Sequence, residues 1–389
     1  MRLQEYQAKQ IFRQFGIKVP KGRIARSLDE VKNIVEELGG KVVLKAQVLV
    51  GGRGKAGGVI KAYSIEEALD NAKKLFGRII KGHIVKKIYV EEMLDIEKEL
   101  YVGFTYDSTN YCIDMIVGSI GGIDIEEIAV KHPDKIAVKH LDPNNDLWDY
   151  IVREVLYEAQ IPKEYFNEVF SVVKKLYQVF KSYDAELCEI NPLAITKDGN
   201  IYAVDARLNI DDDALYRHKD IMELKDFTQM NILERIAEQE HLKYVKIEGN
   251  IGIIAAGAGM GMATADLIYL YNGQPANFLD IGGSTPEVVE KSFRLLLQDK
   301  DVKVIFVNVL GGLTRCDWIA NGIINAIEKL NITLPIVIRL AGTNENEGKT
   351  LIKEYITKTS KNNIILVETM EEGAKKAIEL SSDNYGHHC

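Results

Sequence analysis

The chain has 389 residues, 46% apolar and 27% charged, a balance ordinary for a globular protein with room for two or three domains. A net charge of −8 without any Lys/Arg block argues against nucleic-acid binding. Four scattered cysteines (Cys112, Cys188, Cys316, Cys389) lack C-x-x-C spacing, so neither a zinc site nor a disulfide framework is indicated, and a reduced cytoplasmic setting fits.

In chain order, residues 4–15 read as an amphipathic helix stopped by Gly16, and 28–38 as another stopped by Gly39 and Gly40. A strand over 41–50 leads into a glycine-rich loop at 51–58. A helix at 65–76 and strands at 84–93, 99–107 and 111–119 follow, then helices at 146–158 and 164–182. This mixed order predicts an α+β first part. From about residue 243 strands at 250–256, 276–281, 302–309, 335–340 and 363–366 alternate with helices. That pattern predicts a flavodoxin-like, doubly wound parallel sheet with glycines at its strand ends: Gly257, Gly282, Gly283, Gly311, Gly312 and Gly342. The charged stretch 234–246 marks the boundary, giving domains 1–242 and 243–389. No apolar run is long enough for a secretory signal or a membrane span, and the tail 385–389 reads as a frayed end that binds metal at most adventitiously.

Two segments carry chemistry. Lys45 precedes Gly51-Gly52-Arg53-Gly54-Lys55-Ala56-Gly57-Gly58, whose flexible backbone can turn N–H groups towards phosphates while Arg53 and Lys55 add charge. It is not a G-x-x-x-x-G-K-S/T loop, and an empty glycine-rich hairpin is the plainer alternative. Further on, Glu186–Leu193 and Ile201–Arg207 flank the turn Lys197-Asp198-Gly199. A three-residue hairpin with Gly199 left-handed pairs Thr196 with Asn200, which sets Asn191 opposite Asp205 and Glu189 opposite Arg207 on one face. Two carboxylates and a carboxamide oxygen there suit Mg²⁺; taken alone, the hairpin also allows a solvated polar face. Glu91 and Glu99, at and after a strand end, fit either contacts to a nucleotide's base and ribose or ordinary surface charges.

Taken together, Leu3-x-Glu5-Tyr6-Gln7-Ala8-Lys9, the 51–58 loop, Glu189-Ile190-Asn191-Pro192-Leu193, Pro275–Gly283 and Gly311–Asp317 resemble the β subunit of succinyl-CoA synthetase, an ATP-grasp protein, over nearly the whole chain. The resemblance implies that Lys45, Gly52, Arg53, Gly54, Glu91, Leu94 and Glu99 bind ATP or ADP. It places Mg²⁺ on Asn191 and Asp205, and it makes Glu189 the carboxylate that attends a phosphorylated histidine. Ala256, Gly312, Leu313 and Thr314 fall at positions for the organic acid. The histidine and most of the CoA pocket belong to an α subunit in the family, in an αβ or (αβ)₂ assembly without nucleic acid or membrane. Ala256 stands where most members have asparagine, Thr314 where an apolar residue is usual, and Leu49 where many bacterial members have histidine. The first two departures keep a malate- or citrate-directed ligase open beside succinate, and a catalytically silent scaffold is the reading from another class.

Overall fold

Alternation of apolar side chains decides what each sheet faces. The computed structural model describes residues 1–227, 230–283 and 285–382, so the reading of the 385–389 tail lies outside the described residues. Two compact units divide the chain, Met1–Gln229 and Met230–Cys389. No helix among the described residues is long and apolar enough to cross a membrane.

The first unit holds two principal antiparallel sheets. One has the order Gly22–Ala25, Ile88–Glu92, Val42–Ala46, Val59–Ala62. The helices Leu28–Glu37 and Ile65–Leu75 begin at Ser27 and Ser64, whose hydroxyls accept the N–H of Glu30 and Glu67. Their apolar stripes (Val31, Ile34, Val35, Ala68, Ala72, Leu75) pack with Val42, Leu44, Ile88 and Val90. The other sheet runs Ile201–Ala203, Ala185–Thr196, Ile96–Asp107, Cys112–Gly118, Ile136–Leu141, with Arg207–Ile210 also paired to Ala185–Thr196. Val102, Phe104, Cys188 and Ile190 enter the core beside Leu176 and Phe180 of the helix Phe166–Ser182. With a side-chain period of two, Tyr101 and Glu189 then point to the opposite face.

The hairpin register is the expected one. Ile195 pairs with Ile201, Leu193 with Ala203 and Glu189 with Arg207, and the Thr196 N–H donates to Asn200 O at 2.9 Å. Between these two ladders no rung forms at Asn191 and Asp205; the Asn191–Pro192 peptide is cis there, and the Val204 N–H donates to Pro192 O. Other expectations are corrected. The strand expected at 41–50 ends at Ala46. That at 84–93 splits, because the Val85 N–H bonds back to Arg78 O and closes a ribbon of Ile79–Ile80 with His83–Ile84. The helix Ile125–Lys131 and the strand Ile136–Leu141 were not foreseen; charged residues mask the alternation of the latter.

In the second unit the parallel strands run Asn277–Asp280, Ile251–Ala255, Val304–Gly311, Ile336–Gly342, Ile364–Val367, which is the flavodoxin order 2-1-3-4-5. The stretch expected to be a boundary, 234–246, instead forms most of the helix Ile232–Gln239 and an antiparallel edge strand, Lys243–Lys246. The exposed Lys243 on that strand suits an edge. The helix expected at 262–271 starts earlier, at Ala258, with Gly257 (φ 101°) as its left-handed cap.

Asn277, fully buried, joins the first two parallel strands: its Oδ1 accepts the Ile253 N–H at 3.0 Å and its Nδ2 donates to Ile253 O at 2.8 Å. Asn277→Ala leaves both backbone groups unpaired in the core, at about 1–3 kcal/mol each. Urea denaturation is expected to show a lower midpoint with an unchanged slope.

Candidate active site

A cleft of about 1860 Å³ opens within the first unit, lined from both sheets. All the nucleotide, metal and catalytic candidates from that unit reach it: Lys45, Gly52, Arg53, Gly54, Glu91, Leu94, Glu99, Glu189, Asn191 and Asp205. The glycine loop is the tip of the hairpin Val42–Ala46/Val59–Ala62, with Gly52 and Gly57 at φ 68° and 73°. Lys81, absent from the sequence candidates, donates to Gly51 O at 2.7 Å and also lines the cleft.

Beneath the loop lies a buried charge cluster. Glu5 and Lys9 are one turn apart on the helix Glu5–Gln14 and pair at 2.8 Å. Lys45 meets Glu5 at 3.0 Å, pairs with Glu91 and donates to Val204 O at 2.6 Å. Arg53 pairs with Glu5, reaches Asp205 Oδ1 at 3.0 Å and donates to Ala46 O at 3.1 Å. Glu5, Lys9, Lys45, Arg53 and Glu91 are all less than a tenth exposed. Burial disfavours the charged forms of Lys45 and Arg53, yet Glu5 and Glu91 beside Lys45, and Asp205 and Glu5 beside Arg53, raise the pKa of both. Each keeps its positive charge. Glu91 is therefore no surface glutamate: its two oxygens are engaged by Lys45 and Lys9.

Glu189 faces the cleft from the second sheet. Tyr101 leans over Gly103, where an added Cβ would meet its hydroxyl at 2.7 Å, and donates to Glu189 Oε2 at 3.0 Å. Arg207 stands 3.8 Å from Oε1. Burial pushes the Glu189 carboxyl up; Arg207 and the Tyr101 hydroxyl oppose this, and Asp205 and Glu126 add to it. Glu99 is likewise pushed up by burial, with Lys61 opposing.

Asn191 and Asp205 offer the oxygens a magnesium ion takes. The Asn191 carboxamide is oriented by the Gly122 N–H, which donates to Oδ1 at 2.7 Å, and by Ile123 O, which accepts from Nδ2 at 2.9 Å. A second lone pair remains on Oδ1. Asp205 Oδ1 accepts from Arg53 and from the Ala206 N–H, while Oδ2 has no partner among the described residues and the side chain is 40% exposed. Hard oxygens with room for phosphate and water ligands fit Mg²⁺.

The acid-site candidates lie in the second unit, at the ends of its parallel strands. Ala256 follows Ile251–Ala255, and Asp280 Oδ1 accepts the N–H of Gly257 and of Gly282, both at 2.7 Å. Gly312 has open space at its Cα, and Leu313 is 95% exposed. Thr314 is buried, and its hydroxyl oxygen accepts the Gly283 N–H at 2.6 Å, pinning two strand-end loops together.

An antiparallel two-sheet cleft with a glycine loop, followed by a 2-1-3-4-5 parallel unit, defines an ATP-grasp protein joined to a CoA-ligase unit. Family models match accordingly: an ATP-grasp domain over residues 2–195 and a CoA-ligase over 254–378. The chain is 56% identical over 384 residues to succinate–CoA ligase [ADP-forming] subunit beta 2 of Archaeoglobus fulgidus, covering 98% of this chain and 100% of that one. It is 43% identical over 390 residues to the corresponding beta subunit of Aquifex aeolicus, covering 98% and 99%. The chain belongs to the family of ADP-forming succinate–CoA ligase β subunits. The ATP citrate lyase structure from Methanothrix soehngenii shares the fold, with a TM-score of 0.76 at 19% identity over 97% of this chain and 99% of that one.

Glu5 is the keystone to test. Burial pushes its carboxyl up, but Arg53, Lys45 and Lys9 outweigh that and hold it well below its usual value of 4.5. Its ionisation therefore stabilises the fold fully above that pH, and the contribution is lost as pH falls towards the folded-state pKa. Glu5→Gln should lower stability by about 3–5 kcal/mol at neutral pH. The gap from the parent in urea denaturation should narrow as the pH drops below about 4.5.

Proposed function

We propose that this chain is the nucleotide-binding β subunit of a cytoplasmic ADP-forming succinate–CoA ligase. The reaction is succinate + CoA + ATP to succinyl-CoA + ADP + phosphate, reversibly, through a phosphohistidine on an α subunit, in an αβ or (αβ)₂ assembly. One observation carries the reading: the cleft gathers Lys45, the glycine loop, Glu189, Asn191 and Asp205, yet no histidine is among its lining residues. In this reading the phosphoryl acceptor and most of the CoA site come from the α subunit.

In this reading the 51–54 backbone and the Lys45 and Arg53 charges orient the phosphates, whose transfer needs positioning and charge neutralisation above all. Leu94 and the Glu91 backbone border the base and Glu99 the ribose. Mg²⁺, held by Asn191 and Asp205, supplies further neutralisation of the phosphate oxygens when bound. Glu189, steadied by Tyr101, accepts a hydrogen bond from the incoming imidazole and fixes the tautomer that reacts. Ala256 and Gly312–Thr314 border the acid. The relatives favour succinate over the hydroxy-acid alternative; the Thr314 hydroxyl oxygen accepts the Gly283 N–H and keeps its own O–H to donate.

Glu189→Gln keeps size and hydrogen-bonding reach but loses the charge. In the complex with the α subunit it should leave the ADP dissociation constant unchanged and slow histidine phosphorylation by about 10²–10⁴-fold in rapid-quench assays. An unaltered phosphorylation rate contradicts the role.

A further inference from the structure

The outer end of the second sheet carries a side-chain cluster that the nucleotide chemistry does not use. Asp107 ends the strand Ile96–Asp107, Cys112 and Asp114 sit two apart on Cys112–Gly118, and His140 lies on Ile136–Leu141. The register sets Asp107 opposite Cys112 and Asp114 opposite His140, so all four project from one face. Glu189 shares that face, since it pairs with Gly103, which pairs with Ile116, two positions from Asp114.

One ligand-type atom from each of the four lies within 4.8 Å of every other. His140 Nδ1 is 2.7 Å from Asp114 Oδ1, and Cys112 Sγ is 3.5 Å from both atoms. A tetrahedral shell with bonds of about 2.0–2.3 Å has ligand-to-ligand edges of roughly 3.3–3.8 Å, so small side-chain shifts would complete one. The environment of Cys112 differs from that of the other described cysteines. Cys188 and Cys316 belong to apolar cores, whereas the Cys112 sulfur meets a carboxylate and an imidazole. Asp107 is itself oriented, accepting from the Thr109 N–H at 2.8 Å, the Asn110 N–H at 3.2 Å and Asn110 Nδ2 at 2.6 Å. Such outer hydrogen bonds are the usual support of metal ligands.

We propose that Asp107, Cys112, Asp114 and His140 form a structural zinc site tying together three strands of the sheet that presents Glu189. A thiolate and an imidazole beside two carboxylates match a borderline-soft cation such as Zn²⁺ and disfavour Mg²⁺ and Ca²⁺, which take oxygen shells. Four protein ligands leave no open coordination position, as in structural rather than catalytic zinc sites. The Cys112 S–H bond breaks as the sulfur–zinc bond forms, and the proton leaves to solvent. This site is separate in residues and in chemistry from the Asn191/Asp205 oxygen pair.

The test uses the full chain, stripped of metal and titrated with Zn²⁺ against a competing chromophoric chelator, with Co²⁺ as a spectroscopic stand-in. The expected result is one ion per chain, a thiolate-to-cobalt charge-transfer band, and a melting temperature that rises with Zn²⁺. Cys112→Ser and His140→Gln should each weaken Zn²⁺ binding by more than roughly 100-fold. Their circular dichroism should match the parent, and the combined tail variant His387→Ala/His388→Ala/Cys389→Ser should keep the ion. The proposal is overturned if no stoichiometric Zn²⁺ binds, if the ion persists in Cys112→Ser and His140→Gln, or if the tail variant alone loses it.

Discussion

Three cations and two carboxylates buried together form the constraint on which the first unit depends. Lys9, Lys45 and Arg53 face Glu5 and Glu91, with Asp205 the nearest further negative charge and the only partly exposed one. Taking five charges out of water is tolerable only if each is paired and hydrogen-bonded, so the positions of their elements are coupled. The first helix, two strands of the four-stranded sheet, the glycine loop and the Asp205 wall of the cleft are thereby held in one arrangement. Arg53's pairing with Asp205 brings a third carboxylate to the three cations, so the cluster is balanced, and Lys45 and Arg53 stand at the cleft as its ordered cationic side chains.

The second sheet contributes a different chemistry to the same cleft. Its Glu189 is half-hidden, pushed towards the neutral form by burial, and fixed by Tyr101 and Arg207. In the proposed reading it accepts a hydrogen bond from an incoming imidazole rather than acting on phosphate directly. The strand ends of the second unit show the same division between scaffold and chemistry. Thr314 and Asp280 hold loops in place, while Gly312 and Leu313 are left open to solvent.

Much of this was legible in the residues. The Thr196-to-Asn200 turn fixes a register, and that register correctly sets Glu189 against Arg207. It did not reveal that the ladder opens at Asn191 and Asp205, since a cis Asn–Pro bond leaves no mark on alternation. The burial of Glu5 and Lys9 went unread, because burial by a distant sheet is invisible in local sequence. Glu91 looked exposed for the same reason. Lys243–Lys246 was hidden by its charges, though lysines on a short β-rich run are what an edge strand carries. The cysteine spacing gave no hint of the cluster around Cys112, whose four members come from three strands and meet only through register.

The central claim is that the Lys45–Arg53 cluster builds one phosphate-binding wall. Isothermal titration of ADP into the full chain, with and without Mg²⁺ and against Lys45→Gln, tests it most directly. The account predicts one Mg²⁺-dependent site, weakened about tenfold or more in a Lys45→Gln variant whose fold is intact, as loss of a hydrogen bond to a charged group implies. Equal affinity in parent and variant, or no Mg²⁺-dependent binding at all, would contradict it.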